Sequence, residues 1–351
     1  MDYLQKMSRA KRIFFIADTK QFTDKLLKNE DRRLIKGLIR AGHDVQVFDY
    51  RDAFLQGGPL MSMRLARRYC KAAVADKLLA KQISNYKPDM IFARMVNYLD
   101  GETVRLMKKA ATHAPVVGID NNIWPEMHAH CLDAAANLDL LVATYSGKGV
   151  DGYRKAGVRC VFLPSNCDPD IEYHYDVPET WKSDILFTGQ TRYRHRSNPA
   201  EDIRHQLLSR LATMPGCALY GCYGRPRIGG IDYLYAISGA SIGLSVNAAN
   251  DIPLYHSDRL TTYLSCGTFV MAKRVPDSDL LFKDGVHLRY FDEVQEFFDL
   301  ADWHLKHEEE RRRIAAAGMQ YAHAEFNCVR MAQHLVELVE KGTYTAPWTS
   351  R

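Results

Sequence analysis

Tyr255 to Ala272 reads YHSDRLTTYLSCGTFVMA. A polar, hydroxyl-rich turn leads into about two helical turns, a Cys-Gly stop follows, and Thr268 to Ala272 is a short apolar run. The order loop, helix, turn, strand is one step of a doubly wound α/β repeat. Ser257 is expected to cap the helix through its hydroxyl, and Gly267 to end it in the left-handed conformation. Amides left unpaired at such a helix start, with Arg259 one turn in, suit a phosphate or diphosphate. The competing reading is a capped helix that binds nothing.

The same rhythm extends upstream. Asp184 to Thr188 (DILFT) reads as a strand ending at Gly189 and Gln190, followed by a cluster of Arg192, Arg194 and Arg196. An exposed turn face is the alternative for that cluster. Pro199 to Met214 reads as a helix, Ala218 to Tyr220 as a strand before the glycine- and arginine-rich GCYGRPRIGG, Ile231 to Ser238 as a helix and Ser241 to Asn247 as a strand. Downstream come a strand near His287 to Tyr290 and two helical stretches, Asp292 to Lys306 and Glu308 to about Lys341.

The first half repeats the pattern. Lys11 to Ala17, Asp44 to Phe48, Lys87 to Arg94, Ala114 to Ile119, Leu138 to Ala143 and Val161 to Pro164 are apolar runs of buried parallel strands, alternating with helices at Asp31 to Ala41, Gly101 to Ala111 and Val150 to Ala156. Their C-terminal loops carry Asp18, Arg94, Asp120 with Asn121 and Asn122, and Thr144 to Ser146. Ligands of open α/β sheets bind beyond the carboxyl ends of strands. The basic stretch Met61 to Tyr86 interleaves its charges with a Leu/Ala stripe and reads as a solvated helix face. Residues 165 to 182, SNCDPDIEYHYDVPETWK, are irregular and read as a linker.

The expected organisation is therefore an N-terminal Rossmann-like domain at 1–168, a C-terminal one at 169–325, and a helix and tail at 326–351 packing back toward the first. A chain of 351 residues is long for one core and natural for two. A formal net charge of +5 favours anionic ligands without indicating duplex DNA. The N-terminus, MDYLQKMSRAKR, lacks the apolar core of a secretory signal and no apolar run approaches a membrane span, so a cytoplasmic protein is expected. The eight cysteines are scattered without zinc-ligand spacing and read as reduced thiols.

Two doubly wound lobes, a linker and a terminal helix fit the GT-B architecture. The second lobe resembles the CgeB-like spore-maturation glycosyltransferases, of the family 1/4 type, through ILFTGQTRYRHR, ALYGCYG, YLYAISGASIGLSVN, SDRLTTYLSCGTFVMA and LLFKDGVHLRYFDEVQEFFDLADW. The first lobe matches loosely, through GHDVQVFD, PDMIFAR and VFLPSNCDPDIEY. The resemblance implies a hexosyl- or pentosyltransferase that moves a sugar from a UDP-, GDP- or dTDP-sugar, held mainly by the second lobe, to an acceptor held mainly by the first. It places Arg259 at the diphosphate, where Ser257, Asp258 and the Gly189–Gln190 loop with Arg192 or Arg196 would complete the cradle with Asn247 nearby, and Gly221 and Tyr223 at the base; His256 beside that site is read either as a diphosphate contact or as a surface residue. Where the family usually has Glu, this chain has Thr262, which cannot hold two ribose hydroxyls as a carboxylate does.

Asp120, with Asp18 as runner-up, is the expected base for an acceptor hydroxyl in an inverting mechanism; a strand-end Asp is also a common helix cap. Asp168-Pro169-Asp170 spells a DxD metal motif, but the proline favours a turn, so no metal or other cofactor is expected. Acceptors left open are a glycan, a protein side chain, a small metabolite and a modified nucleic-acid base. A nucleotide-sugar-binding relative without transfer and a GT-B-fold nucleotide-sugar epimerase are the competing functions.

Overall fold

The computed structural model describes residues 10–19, 30–50, 53, 71–95, 99–123, 127–190 and 202–349. The chain divides into two compact units: one holds the first strand, Asp31–Leu163 and Met331–Tyr344, the other Pro164–Arg330 with the tail from Thr345.

In the first unit, β1 (Arg12–Ala17), β2 (Asp44–Asp49), β3 (Met90–Arg94), β4 (Val116–Asp120), β5 (Leu140–Ala143) and β6 (Cys160–Phe162) form one sheet in the order β2-β1-β3-β4-β5-β6. Every pairing is parallel. Among the described residues the α-helices between them are α1 (Glu30–Arg40), α2 (Asp76–Tyr86), α3 (Gly101–Ala111), α4 (Ala129–Ala135) and α5 (Asp151–Lys155). Strand β3 is buried along its whole length and β1 from Ile13 onward, because helices cover both faces of a parallel sheet and the strands must be apolar throughout. Phe14, Phe48, Ile91, Val104, Met107 and Leu141 lie in its core, each worth roughly 1.5–3 kcal/mol of burial. Of the basic helix expected over Met61 to Tyr86, residues 61–70 lie outside the described residues; Lys71–Ala75 is a π-helical turn running into α2.

The second unit orders β7 (Ser183–Thr188), β8 (Cys217–Tyr220), β9 (Ala240–Ser245), β10 (Phe269–Lys273) and β11 (Arg289–Phe291) as β11-β10-β9-β7-β8, all parallel. Its helices are α6 (Ile203–Leu211), α7 (Gly230–Ser238), α8 (Asp258–Ser265), α9 (Val294–Lys306) and α10 (Glu308–Glu325); α11 (Cys328–Lys341) begins here and continues into the first unit. The chain goes from β7 to β8 on one side and then crosses to β9 on the other. The topological switch point, where α/β sheets bind ligands, thus falls between the carboxyl ends of β7 and β9. In the first sheet the corresponding point lies between β1 and β3.

Three local expectations change. The terminal helix is interrupted: Phe326 is fully buried and Asn327 accepts from Arg330 N at 2.9 Å, so it caps a new helix rather than continuing the old one. The stretch read as a linker is packed into the second unit, with Ser165, Asn166, Cys167, Asp168 and Glu172 buried and Cys167 bonded to Phe326 and Cys328 through the backbone. Helix α6 starts only at Ile203, where Asp202 accepts from Arg204 N.

Candidate functional site

Helix α8 is buried from Arg259 to Ser265. Gly267, at φ 71, stops it: Gly267 N donates to Leu264 O at 2.9 Å and Thr268 N to Tyr263 O at 3.1 Å, the pattern of a left-handed C-terminal cap. The N-terminal expectation is corrected. Ser257 stands at the N-cap, but its hydroxyl makes no capping bond and has no partner among the described residues, although the atom is buried. Its amide donates instead to Asn247 Oδ1 at 3.1 Å, and Asn247 Nδ2 donates to Tyr255 O at 3.1 Å. Both ends of the Asn247 amide are thus spent on the loop that delivers α8, which makes Asn247 a positioning residue.

Arg259 leaves the first turn of α8 and spans the switch point. Its Nε donates to Thr188 O, the end of β7, at 2.7 Å, and its Nη1 to Val246 O, just past β9, at 3.1 Å. The guanidinium lies over the Phe187 ring, 4.6 Å from the centroid, and the residue is 6% exposed. A second arginine, Arg204 of α6, sits 5.2 Å from the same ring and is 7% exposed. It donates to Gln190 O, while its Nε is buried without a partner among the described residues. Among the described residues neither arginine has a carboxylate partner. Burial, and then the neighbouring Arg259, lower the Arg204 pKa to about 10, which leaves it protonated at neutral pH.

Gly189 occupies the gap between them at φ 147, and a Cβ there would come within 3.1 Å of a terminal nitrogen of each arginine. Gly189 N donates to Tyr220 O at 2.9 Å, which sets this loop against the turn after β8. In that turn Gly221 N donates to Pro226 O at 3.0 Å, and Tyr223 is exposed in the left-handed region at φ 49. Gly189, Gly221, Asn247, Ser257 and Arg259 are therefore gathered at the carboxyl end of the second sheet. Gln190 is exposed beside them and Asp258 partly so. Arg192 and Arg196 lie outside the described residues.

His256 is neither a surface residue nor open to solvent. It is 4% exposed, packs edge-on to Phe282 and Phe326, and its Nε2 has no partner among the described residues. Burial lowers its pKa to about 4. Thr262 is 1% exposed.

In the first unit, Asp18 is partly exposed beyond β1 and its amide donates to Asp31 Oδ2 at 2.9 Å. Asp31 and Arg94, both buried, form an ion pair there, with Arg94 Nε 2.6 Å from Asp31 Oδ1. Asp120 is fully buried, which corrects its expected place as an open base. Its Oδ2 accepts from Tyr145 at 2.8 Å and Tyr153 at 2.6 Å, and its Oδ1 from Asn122 N at 2.9 Å. Burial raises its pKa against those hydrogen bonds. A carboxylate so enclosed has no route to a substrate hydroxyl in this conformation.

Asp168 and Asp170 form a turn: Ile171 N and Glu172 N donate to Asp168 O at 3.0 and 2.8 Å, and Asp168 is 3% exposed. No group of three metal-ligating side chains occurs among the described residues, and none of their helices is long and apolar enough to cross a membrane.

Residues 196–337 match the sequence profile of a family described as glycosyl transferase-like. No curated protein sequence matches the chain. Among solved structures, HepE of Anabaena in complex with UDP-glucose is 16% identical, with 94% of this chain and 99% of that one covered, at a TM-score of 0.59. A glycosyltransferase from Rickettsia africae is 11% identical over 95% and 99%, at 0.62. Sucrose-phosphate synthase from Thermosynechococcus elongatus is 13% identical over 94% and 98%, also at 0.62. The fold is the two-domain α/β fold of the GT-B glycosyltransferases.

Proposed function

We propose that the chain is a nucleotide-sugar glycosyltransferase of the CgeB-like type, working without a metal ion on an acceptor held by the first unit. The observation that carries this reading is Arg259, buried across the switch point of the second sheet with no carboxylate partner among the described residues. The glycosyl transferase-like match over the same unit and the UDP-glucose complex of HepE support it.

In the transfer, the bond between the anomeric carbon and the β-phosphate oxygen breaks and its electron pair stays on that oxygen. The acceptor oxygen bonds the anomeric carbon and gives up its proton. Charge therefore develops on the diphosphate, where a fixed guanidinium and the start of α8 stabilise it. Ser257 Oγ adds a hydrogen-bonding group at that helix start. For the proton, Asp18 is the more exposed of the two strand-end carboxylates, Asp120 being enclosed.

A second reading, a relative that binds nucleotide sugar without transferring it, draws on Thr262, a buried hydroxyl where the resembling family carries a carboxylate. Incubation with UDP-, GDP- and dTDP-sugars, with and without an acceptor panel, and measurement of released nucleoside diphosphate separates the two. Release that depends on Arg259 supports transfer; binding of a donor with no release under any acceptor supports the second reading.

A further inference from the structure

We propose that a single ordered water is built into a cavity behind the start of α8, where it bridges His256 Nε2 and Ser278 Oγ and fixes the loop that delivers Arg259. The cavity is defined by the second unit alone, so the inference stands apart from the nucleotide-sugar reading.

The cavity lies at the carboxyl ends of β9 and β10, between the loop before α8 and residues 275–282. Leu254, Val275, Leu281 and Phe282 line it together with the two polar side chains. His256 and Ser278 are each 4% exposed, and His256 Nε2 and Ser278 Oγ have no partner among the described residues. Neighbouring polar groups of the lining are committed elsewhere. Lys273 Nζ donates to Arg274 O at 3.2 Å and Asp292 Oδ1 at 3.1 Å, and the Tyr290 hydroxyl to Ser278 O at 3.0 Å. The Asn247 amide is spent on Tyr255 and Ser257. Burying a polar group without a hydrogen bond is costly, so two such groups on one cavity call for a ligand that reaches both.

Size and proton placement name the ligand. The cavity volume is about 10 Å³, room for one water and for no phosphate, sugar or hydrated ion. His256 Nδ1 lies 3.4 Å from Leu254 O, an atom that only accepts, so Nδ1 carries the ring proton and Nε2 presents a lone pair. Burial lowers the pKa of His256 to about 4, which keeps the ring neutral. The ligand must therefore donate to Nε2, which an anion cannot do. Water gives one proton to Nε2 and shares a second hydrogen bond with Ser278 Oγ, which both donates and accepts.

The loop needs such an anchor. Leu254 stands in the left-handed region at φ 61, a conformation that a residue with a side chain keeps only where its surroundings hold it. Leu254 N donates to Pro276 O at 2.9 Å. The water adds a second link between the same two segments, two residues farther along each. Ser257, Asp258 and Arg259 follow at once, so His256 is a positioning residue for the start of α8.

The direct test is a crystal structure of the full chain, grown without ammonium, the other donor of that size. It should show an ordered water within about 2.5–3.2 Å of both His256 Nε2 and Ser278 Oγ. Denaturation of His256→Phe, Ser278→Ala and the double variant at neutral pH tests the link in solution. Each single change is expected to lower the folding equilibrium constant about 10-fold, and the double variant to fall no further than the worse single one, because both remove the same bridge. Hydrogen exchange should quicken at the amides of residues 255–260 in either single variant and stay unchanged in both sheets. A cavity without water, a water bonded to only one of the two groups, additive losses, or unaltered exchange at residues 255–260 would overturn the inference.

Discussion

Arg259 reaches from the first turn of α8 to Thr188 O at 2.7 Å, tying the helix that follows β9 to the end of β7. The same guanidinium ties the fold together and, in the function proposed above, faces the ligand. Arg259→Ala is expected to lower turnover about 100–1000-fold, as loss of one donor to a developing anion does. It should also destabilise the protein, by about 1–3 kcal/mol for each carbonyl left unbonded. Arg259→Lys should fail as well, since one ammonium cannot reproduce the planar fork. Steady-state kinetics beside chemical denaturation measure both; an unchanged rate in the folded variant removes Arg259 from the site.

Asp120 is predicted to serve the fold. Asp120→Ala orphans two tyrosine hydroxyls and should cost roughly 1–3 kcal/mol for each, while turnover per folded molecule persists. Tyr153→Phe should reproduce part of the loss. A stable Asp120→Ala protein without activity would restore Asp120 as the base.

His256 sets a pH dependence. Its folded pKa, lowered to about 4 by burial, lies below the unfolded value, so between about pH 4 and 6.5 the unfolded chain binds a proton that the folded one refuses. Stability from this group is fully present above pH 6.5 and falls as pH drops toward 4, by on the order of 3 kcal/mol. His304, whose pKa is also lowered to about 4, adds in the same direction; the raised pKa of buried Asp120 opposes it at the acid end. Denaturation midpoints from pH 4 to 7 should therefore rise more steeply in the wild type than in His256→Gln. Parallel curves would contradict this account of His256.

Chelation is expected to leave transfer unchanged, because Asp168 is folded into a turn by its own backbone carbonyl. Activity lost to a chelator and restored by a divalent ion would reverse this.

The strands were legible because parallel strands covered on both faces are apolar runs, and the Gly267 stop because only a left-handed cap places glycine there. What escaped were facts set by partners distant in sequence. Asp120 looks like any strand-end carboxylate until Tyr145 and Tyr153 are seen to enclose it. Ser257 has the spelling of a cap, yet its amide is taken by Asn247 and its hydroxyl caps nothing. Arg204 did carry a signal, a charged residue in register with Leu207, Leu208 and Leu211, visible once helical spacing is counted from the far end of α6.

The central claim is that the second unit binds a nucleoside diphosphate through Arg259. The most direct measurement is the thermal shift of the wild type and Arg259→Ala against UDP, GDP, dTDP, CDP and their sugars, since a ligand bound only by the native state raises the melting temperature. A selective rise with one nucleotide, lost in Arg259→Ala, is the predicted result. A flat response to all of them, or a rise that survives the loss of Arg259, would contradict it.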